Sequence, residues 1–500
     1  MERDPLIIEE VENVFSSIGL FRLFKDEPYL FLLDSGIDPS SHMHADMGAW
    51  LRRTSRQKLG RYSFLGFDPF LIFRSKEDRI TIIEENKRKE LTGHNPFYVL
   101  KDLLGRYKLD SKETSIPFTG GAVGYFAYDL RRHLEDVPSN AVDDIDIPDC
   151  CVLFYDRVII FDHLKDKTYI ASSGFPLIKN CERSKRARMR FHDVAGRIEK
   201  RCVTRREQIE KKDLLSETRL DSNFTKDEYI YAINKAKEYI KKGDIYQVNL
   251  SQRFSCKIDV PANALFERLR AINPAPFASF LDFKDVKIVS ASPERFLCKR
   301  GRSIHTRPIK GTRPRGAGFI EDERLKSELL SSPKERAEHI MIVDLERNDL
   351  GRICEYGTVL PTEFITLERY STVFHLVSTV SGVLREGVDA ADCLINCFPG
   401  GSITGAPKIR SMEIIDELEP TKRSLYTGSI GYIGFNGNMD TSIVIRTFII
   451  KGDQVYFQVG GGIVADSDPE MEYQETLDKA KALIEALNTK YVSKSLADSV

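Results

Sequence analysis

The sequence predicts an α+β fold in which many short strands alternate with helices, and three observations carry that expectation. Up to about Ala171 the chain repeats short apolar runs separated by turn residues. From Thr225 onward, β-type runs alternate with amphipathic helical stretches. No repeat with a fixed period appears. At 500 residues the chain has room for two or three domains, or for one interleaved body.

Taken in order, Tyr29 to Leu33, Arg61 to Gly66, Phe70 to Phe73 and Cys151 to Phe161 read as strands. Gly120-Gly121-Ala122-Val123-Gly124 lacks dinucleotide-loop spacing and reads as a turn. Cys181 to Lys212 is helical and strongly basic, and the polar stretch Ser216 to Asn223 follows, giving a solvated helix and a linker. Thr225-Lys226-Asp227-Glu228 is a capping-box pattern that opens a helix to about Lys242. Strands follow at Asp244 to Phe254, Lys287 to Ser290, Ser429 to Phe435, Thr441 to Ile450 and Gln454 to Val459. The expected division is therefore 1–180, a basic helix and linker over 181–224, and a main unit over 225–490.

Bulk properties narrow the function. A hydrophobic fraction of 41%, a charged fraction of 30% and a formal net charge of -1 give no electrostatic reason for a nucleic-acid or membrane partner. A small-molecule substrate fits better. No apolar run approaches the roughly 20 residues that span a bilayer, and Met1 to Glu10 lacks a signal-peptide pattern, so the expected location is the cytoplasm. Nine cysteines contain no C-x-x-C pair and are expected to be reduced; Cys393 and Cys397, four apart on a helix, are expected to be packed thiols.

Two carboxylate pairs stand out. Lys334 to Asp349 reads as a helix that places Glu335 and Glu338 one turn apart on the same side. Pro469, behind Ser467 and Asp468, looks like an N1 proline, so Glu472 and Glu475 fall on the first turns of a C-terminal helix. Four acids brought together repel unless a hard cation joins them, and Mg²⁺ suits such oxygen ligands. Just upstream, Gly460-Gly461-Gly462 follows a strand, where bare backbone N–H groups approach an anion without a Cβ in the way. Gly400 to Lys408 looks like a P-loop, but Ala406 and Pro407 stand where Gly must be followed directly by Lys, which argues against a nucleotide. A helix start rich in glycine and hydroxyls still suits a carboxylate. Lys310, in Pro308-Ile309-Lys310-Gly311-Thr312, is expected where a strand runs out before a sharp Gly311-Thr312 turn, a common place for a catalytic group.

Ser292-Pro293-Glu294-Arg295-Phe296, Pro308 to Thr312, Ala337-Glu338-His339, Asp344-Leu345-Glu346-Arg347-Asn348-Asp349, Gly405-Ala406-Pro407-Lys408 and Gly460 to Asp466 together resemble the chorismate-utilising enzymes over about Thr225 to Leu487. Leu32 to Ser35 and Arg61 to Phe64 resemble the N-terminal region shared by the component I subunits of anthranilate synthase and aminodeoxychorismate synthase. The resemblance implies large antiparallel sheets packed as a sandwich with flanking helices. Within it, anthranilate synthases carry Ala where this chain has Lys310, and Lys marks the aminodeoxychorismate branch. Gln247 matches the amine-adding members, since isochorismate-forming relatives carry Lys there.

By position, the resemblance implies Lys310 as a nucleophile on chorismate and Glu294 as general acid and then base. His375 matches an active-site histidine. Glu338 and Glu475 would hold Mg²⁺ directly, backed through water by Glu335 and Glu472. Gly311, Thr312, Tyr426, Arg446 and Gly460, Gly461 and Gly462 match substrate-binding positions, with Arg446 suited to a carboxylate. Ser35, Arg61, Tyr62, Ser63, Phe64, Pro276, Phe277 and Ala278 match tryptophan-binding positions, although Asp34 replaces the usual Glu and His42 to Lys58 lengthens the intervening segment. The chain has no Gly-x-Cys-x-Gly nucleophile, so ammonia is expected from a separate glutaminase, and there is no room for a fused lyase. The alternatives left open are anthranilate synthase component I and a silent tryptophan-binding regulatory subunit.

Overall fold

The computed structural model describes residues 5–12, 15–35, 59–85, 87–109, 114–204, 220–370 and 373–488. The extra segment His42 to Lys58, the end of the basic helix and most of the linker after it lie outside the described residues. Two 12-stranded sheets, antiparallel throughout, form the body, each an 11-strand path with one further strand off it, Gly405–Ala406 beside Gln247–Lys257 in the first and Leu360–Arg369 beside Val373–Val383 in the second.

The first sheet runs from Ile7–Val11 through Lys167–Ser172, Arg157–Asp162, Tyr62–Gly66, Phe31–Asp34, Phe277–Asp282, Val286–Ser292, Thr447–Lys451, Gln454–Ile463 and Gln247–Lys257 to Asp221–Ser222. The second runs from Ile309–Pro314 through Val373–Val383, Ser303–Arg307, Arg295–Arg300, Met439–Ile443, Ser429–Gly434, Gly121–Phe126, Cys150–Tyr155, Leu71–Lys76 and Arg79–Glu84 to Lys87–Thr92. Both sheets draw strands from either side of residue 225. Period-2 alternation explains the stacking, because one face of every strand meets the other sheet. Phe64, Ile160, Ile288 and Ile449 from the first sheet pack against Val123, Leu153, Ile430 and Tyr432 from the second.

The outer faces are covered by helices. Ser17–Phe24, Asn180–Thr204, Ala262–Ile272 and Pro469–Leu487 lie on the first sheet, and Pro96–Arg106, Pro333–Gly351 and Ala390–Cys397 on the second. Lys226–Lys242 has the expected capping box at Thr225 and Glu228. Among the described residues no helix is long and apolar enough to cross a membrane.

Four expectations need correction. Gly121–Phe126 is a fully buried central strand and not a turn; a Cβ on Gly124 would come within 2.0 Å of Cys151 O, so the glycines permit close strand approach. The apolar run Cys151 to Phe161 is two strands in different sheets, as is Thr441 to Ile450, because both halves of each are buried and hydrophobicity alone hides the crossing. The basic helix is docked rather than solvated: Ala187, Phe191, Val194 and Ile198 are buried, and Arg190 pairs with Asp156 and Asp68 at 3.1 and 2.9 Å. Lys310 stands within the strand Ile309–Pro314, which pairs with Val373–Val383 beside Ser303–Arg307; Gly311, at φ 81°, makes a bulge between Ile309 and Thr312 and not a terminal turn.

Candidate active site

Two chain crossings between the sheets lie side by side and define the site. The chain leaves the first sheet at Ser292 and enters the second at Arg295, and it returns between Ile443 and Thr447. Ser292 Oγ donates to Ile443 O at 2.6 Å, Ile443 N–H donates to Glu294 O at 3.0 Å, and Ala291 N–H donates to Arg446 O at 3.0 Å. Glu294 and Arg446 therefore sit where ladder pairing is interrupted, and their side chains are not committed to a sheet face.

Lys310 reaches the same region. A Cβ on Gly462 would lie 3.1 Å from Gln247 Nε2 and 3.4 Å from Lys310 Nζ, so the amide, the amine and the bare backbone converge on one point. Gln247 is wholly buried, and among the described residues neither of its amide atoms has a hydrogen-bond partner. An unpaired buried amide is costly and points to a missing polar partner. Gly460, Gly461 and Gly462 lie inside the strand Gln454–Ile463, opposite Ser251, Leu250 and Asn249.

The acids arrive from two helices. Pro333–Gly351 begins at Ser332, whose hydroxyl accepts from Glu335 N–H at 3.3 Å, and Pro469–Leu487 begins at Asp468, which accepts from Met471 N–H at 2.9 Å. A Cβ on Gly461 would lie 3.2 Å from Glu472 Oε2 and 3.6 Å from Glu475 Oε1, so these oxygens face one small cradle. Glu335 Oε2 lies 3.1 Å from the corresponding point on Gly311. Glu338 feels both Glu335 and Glu472, and burial raises its carboxyl above the usual range. Burial also raises Glu472, whereas Lys479 lowers Glu475.

Three of the four acids are held closely by a local partner, Glu335 by Arg313 at 3.0 Å, Glu475 by Lys479 at 2.7 Å and Glu472 by Ser467 at 2.6 Å, and Glu338 lies 3.9 Å from Lys334. Among the described residues no three His, Cys, Asp or Glu side chains form a ready metal cage. Glu472 and Glu475 face the Gly461 cradle, and Glu338 lies within electrostatic reach of Glu335 and Glu472; carboxylate donors of this kind fit a hard divalent cation that keeps waters.

Glu294 is buried, and burial lifts its carboxyl to about 7 against the opposing pull of Ser402 and Lys310. Ser402 Oγ donates to Glu294 Oε1 at 2.8 Å. The loop 400–407, expected as a carboxylate site at a helix start, thus holds one of the protein's own carboxylates. His375 is pushed down to about 3 by burial and by Arg446, so its ring is neutral, and its Nδ1 lies 2.8 Å from Thr312 Oγ1. Arg446 adopts a left-handed backbone, φ 52°, and its guanidinium meets Asn273 Oδ1 at 3.3 Å instead of a carboxylate. Tyr426 is buried beside that crossing, where Thr427 N–H donates to Val444 O at 2.8 Å.

A model of the chorismate binding enzyme family matches residues 54–485, most of the chain. The chain belongs to this family. Among its relatives, anthranilate synthase component 1 of Acetivibrio thermocellus is 40% identical over 489 residues, covering 97% of this chain and 95% of that protein. Aminodeoxychorismate synthase component 1 of Bacillus subtilis is 40% identical over 430 residues, covering 86% of this chain and 89% of that one. The crystal structure of anthranilate synthase component I from Streptococcus pneumoniae superposes with a TM-score of 0.74 at 31% identity, over 89% of this chain and 99% of that one. The expected sandwich of antiparallel sheets with flanking helices is thus the fold of this chorismate-binding enzyme.

A second cluster in the same enzyme gathers the upstream motif residues. The strand Phe31–Asp34 lies between Tyr62–Gly66 and Phe277–Asp282, which brings Ser35, Tyr62 to Phe64 and Pro276 to Ala278 to one end of three neighbours. Asp34 is buried; it accepts from Ser17 Oγ at 2.9 Å, Ser63 Oγ at 2.8 Å and Arg270 Nε at 2.6 Å, and burial is outweighed by these partners so that its carboxyl is lowered. Ser35 N–H donates to Ser63 Oγ at 3.1 Å, whereas Arg61 pairs with Asp162 at 2.8 Å.

Sequence reasoning assigned no role to Ser402, His339 or Lys479. His339 is buried, with Nε2 2.6 Å from Ser378 Oγ, and it backs the helix against the strand of Lys310. Lys479 donates to Gly460 O at 2.8 Å and was readable as an i, i+4 partner of Glu475. For Ser402 the hydroxyl-rich glycine loop was a local signal for a carboxylate, but nothing local named Glu294, 108 positions away.

Proposed function

We propose that this chorismate-binding enzyme converts chorismate and ammonia into 4-amino-4-deoxychorismate. The observation that carries the reading is Lys310, whose amine meets Gln247 and Gly462 and lies within electrostatic reach of Glu294, Glu338 and Glu475. Lys310 Nζ, as the free amine, attacks ring C2; both conjugated ring double bonds shift and the C4–O bond breaks, while Glu294 gives its proton so that water leaves. Ammonia then attacks C4, both ring double bonds return to their places, the C2–N bond breaks to release Lys310, and Glu294 takes back a proton from the new ammonium group. Arg446 binds a substrate carboxylate, and Thr312 fixes neutral His375 against the ring. Glu338 and Glu475, with Glu335 and Glu472 behind water, would hold Mg²⁺, which supplies a positive anchor for the ring carboxylate when bound. A partner glutaminase supplies the ammonia.

A second reading, anthranilate formation, is favoured by the name of the relative that covers 97% of the chain. Incubation of the protein with chorismate, Mg²⁺ and ammonium salt separates the two. Accumulation of aminodeoxychorismate, and a mass adduct on Lys310 after quenching, is expected; fluorescent anthranilate as the product overturns the proposal. The cluster around Asp34 supports a tryptophan site, for which calorimetric titration with tryptophan should show saturable binding that Ser63→Ala weakens.

A further inference from the structure

Alternation divides the strand Gln247–Lys257 into two faces. Val248 and Leu250 pack into the apolar cluster of Tyr229, Ile233 and Met412, so Gln247, Asn249 and Ser251 project from the opposite face. On the neighbouring strand Gly460 pairs with Ser251 and Gly462 with Asn249, and Gln458 precedes Gly460 by two residues on that same face. Asn249 and Gln458 are buried, at 7% and 4% exposure. Ser251 is well provided for: its hydroxyl donates to Glu419 Oε1 at 2.7 Å and accepts from Gln458 Nε2 at 2.8 Å. The amide oxygens around it are not. Among the described residues, Gln247 Oε1, Asn249 Oδ1 and Gln458 Oε1 all lack a hydrogen-bond partner. A Cβ on Gly460 would lie 3.0 Å from Asn249 Oδ1, just as one on Gly462 would lie beside Gln247 and Lys310. The two glycines, roughly 6.6 Å apart along their strand, therefore present bare backbone between these orphaned acceptors and the Lys310 amine. Asn249 is fixed from its backbone, which donates to Thr404 O at 2.8 Å and accepts from Arg423 Nη2 at 2.6 Å. Buried acceptors in such a row require a donor, and the space left by two missing side chains suits a small one.

We infer that Asn249, together with Gln247, holds the attacking ammonia beside Lys310, with Gln458 lining the inner end of the same polar row. The inference rests on the reading of this chain as an ammonia-using enzyme. Ammonia brings three N–H donors and one lone pair. Two of the donors go to Gln247 Oε1 and Asn249 Oδ1, and the lone pair is left for the ring. The C4–N bond then forms as the C2–N bond to Lys310 breaks, and one proton of the new ammonium group passes to Glu294, as in the reaction above. Side-chain amides accept hydrogen bonds but take up no proton, so water held in the same place is not activated, whereas ammonia attacks without a base. Asn249 is thus a binding residue for the second nucleophile, distinct from the groups that bind the ring.

The test compares full-length wild type with Asn249→Val and Asn249→Thr, which share one shape and differ by a hydroxyl. Chorismate consumption is followed at fixed pH over a range of free ammonia, whatever the amine product. In Asn249→Val the KM for ammonia is expected to rise about 10-fold, and in Asn249→Thr by less, while the KM for chorismate stays within about twofold of wild type. The mass adduct on Lys310, formed with chorismate in the absence of ammonia, is expected to reach the wild-type level in both variants. An unmoved KM for ammonia overturns the inference. A KM for chorismate that rises in parallel also overturns it, and makes Asn249 a ring contact or a support of the fold. If Asn249→Val does not fold, Asn249→Ala is judged by the same two constants. Anthranilate as the product overturns the proposed choice of ring position, and the two constants still decide the ammonia site. Absence of any ammonia-dependent turnover by wild type overturns both readings, a result distinct from an active wild type whose variants keep their KM for ammonia.

Discussion

At the scale of the residue, burial makes Glu294 both useful and expensive. Its carboxyl titrates near 7 in the fold against an ordinary 4.5, so the folded state binds more protons across that window. The sign follows: the stabilising contribution is complete below the unfolded value and is lost as pH rises through the folded one, a loss of about 3 kcal/mol. Denaturant unfolding of wild type should show declining stability from about pH 5 to about pH 8, and Glu294→Gln should flatten that decline while lowering turnover by about 10²-fold or more. Lys310→Ala should lower aminodeoxychorismate formation by at least about 10³-fold, with the fold unchanged by circular dichroism; unchanged turnover would remove the covalent step. The structure places Lys310 within electrostatic reach of Glu294, Glu338 and Glu475, a grouping that the family resemblance implied and that local spacing alone did not. The contact of Ser402 with Glu294 was not legible at all, since it is set by how distant segments pack.

At the scale of the element, the three glycines of Gln454–Ile463 have different duties. A Cβ on Gly460 would come within 2.5 Å of Leu250 O, a backbone atom that cannot move without disturbing the ladder. A Cβ on Gly462 would instead press on the ends of Gln247 and Lys310. Gly460→Ala should therefore destabilise the protein by about 1–3 kcal/mol, visible as a lower melting temperature. Gly462→Ala should melt close to wild type but bind chorismate more weakly, visible as a raised KM. Equal melting temperatures for the two variants would contradict this division. The elements themselves were largely readable: the capping box at Thr225 and the N1 proline at Pro469 start helices as expected. Gly121–Phe126 was missed because glycine signals a turn by conformational freedom and a central strand by close approach, and sequence does not distinguish these uses.

At the scale of the whole molecule, the sandwich was not derivable from periodicity, since the chain changes sheets inside continuous apolar runs; only the family resemblance supplied it. Those crossings also explain why the acids gather. Helices Pro333–Gly351 and Pro469–Leu487 lie on the outer faces of different sheets, yet their first turns meet at the end where Glu294 and Arg446 cross over. Four carboxylates brought together this way oppose folding through mutual repulsion, which the local bonds to Arg313, Lys479 and Ser467 offset only in part. A ligand that binds only the folded arrangement stabilises it by mass action. Mg²⁺ should thus raise the melting temperature of wild type, and more so with chorismate present. Glu338→Gln, which neutralises a carboxyl disfavoured by burial and by Glu335 and Glu472, should melt higher than wild type in chelator, by the equivalent of about 1 kcal/mol, and should weaken the response to Mg²⁺. A variant that melts lower in chelator, or responds to Mg²⁺ as wild type does, would show that Glu338 serves the fold rather than a cation.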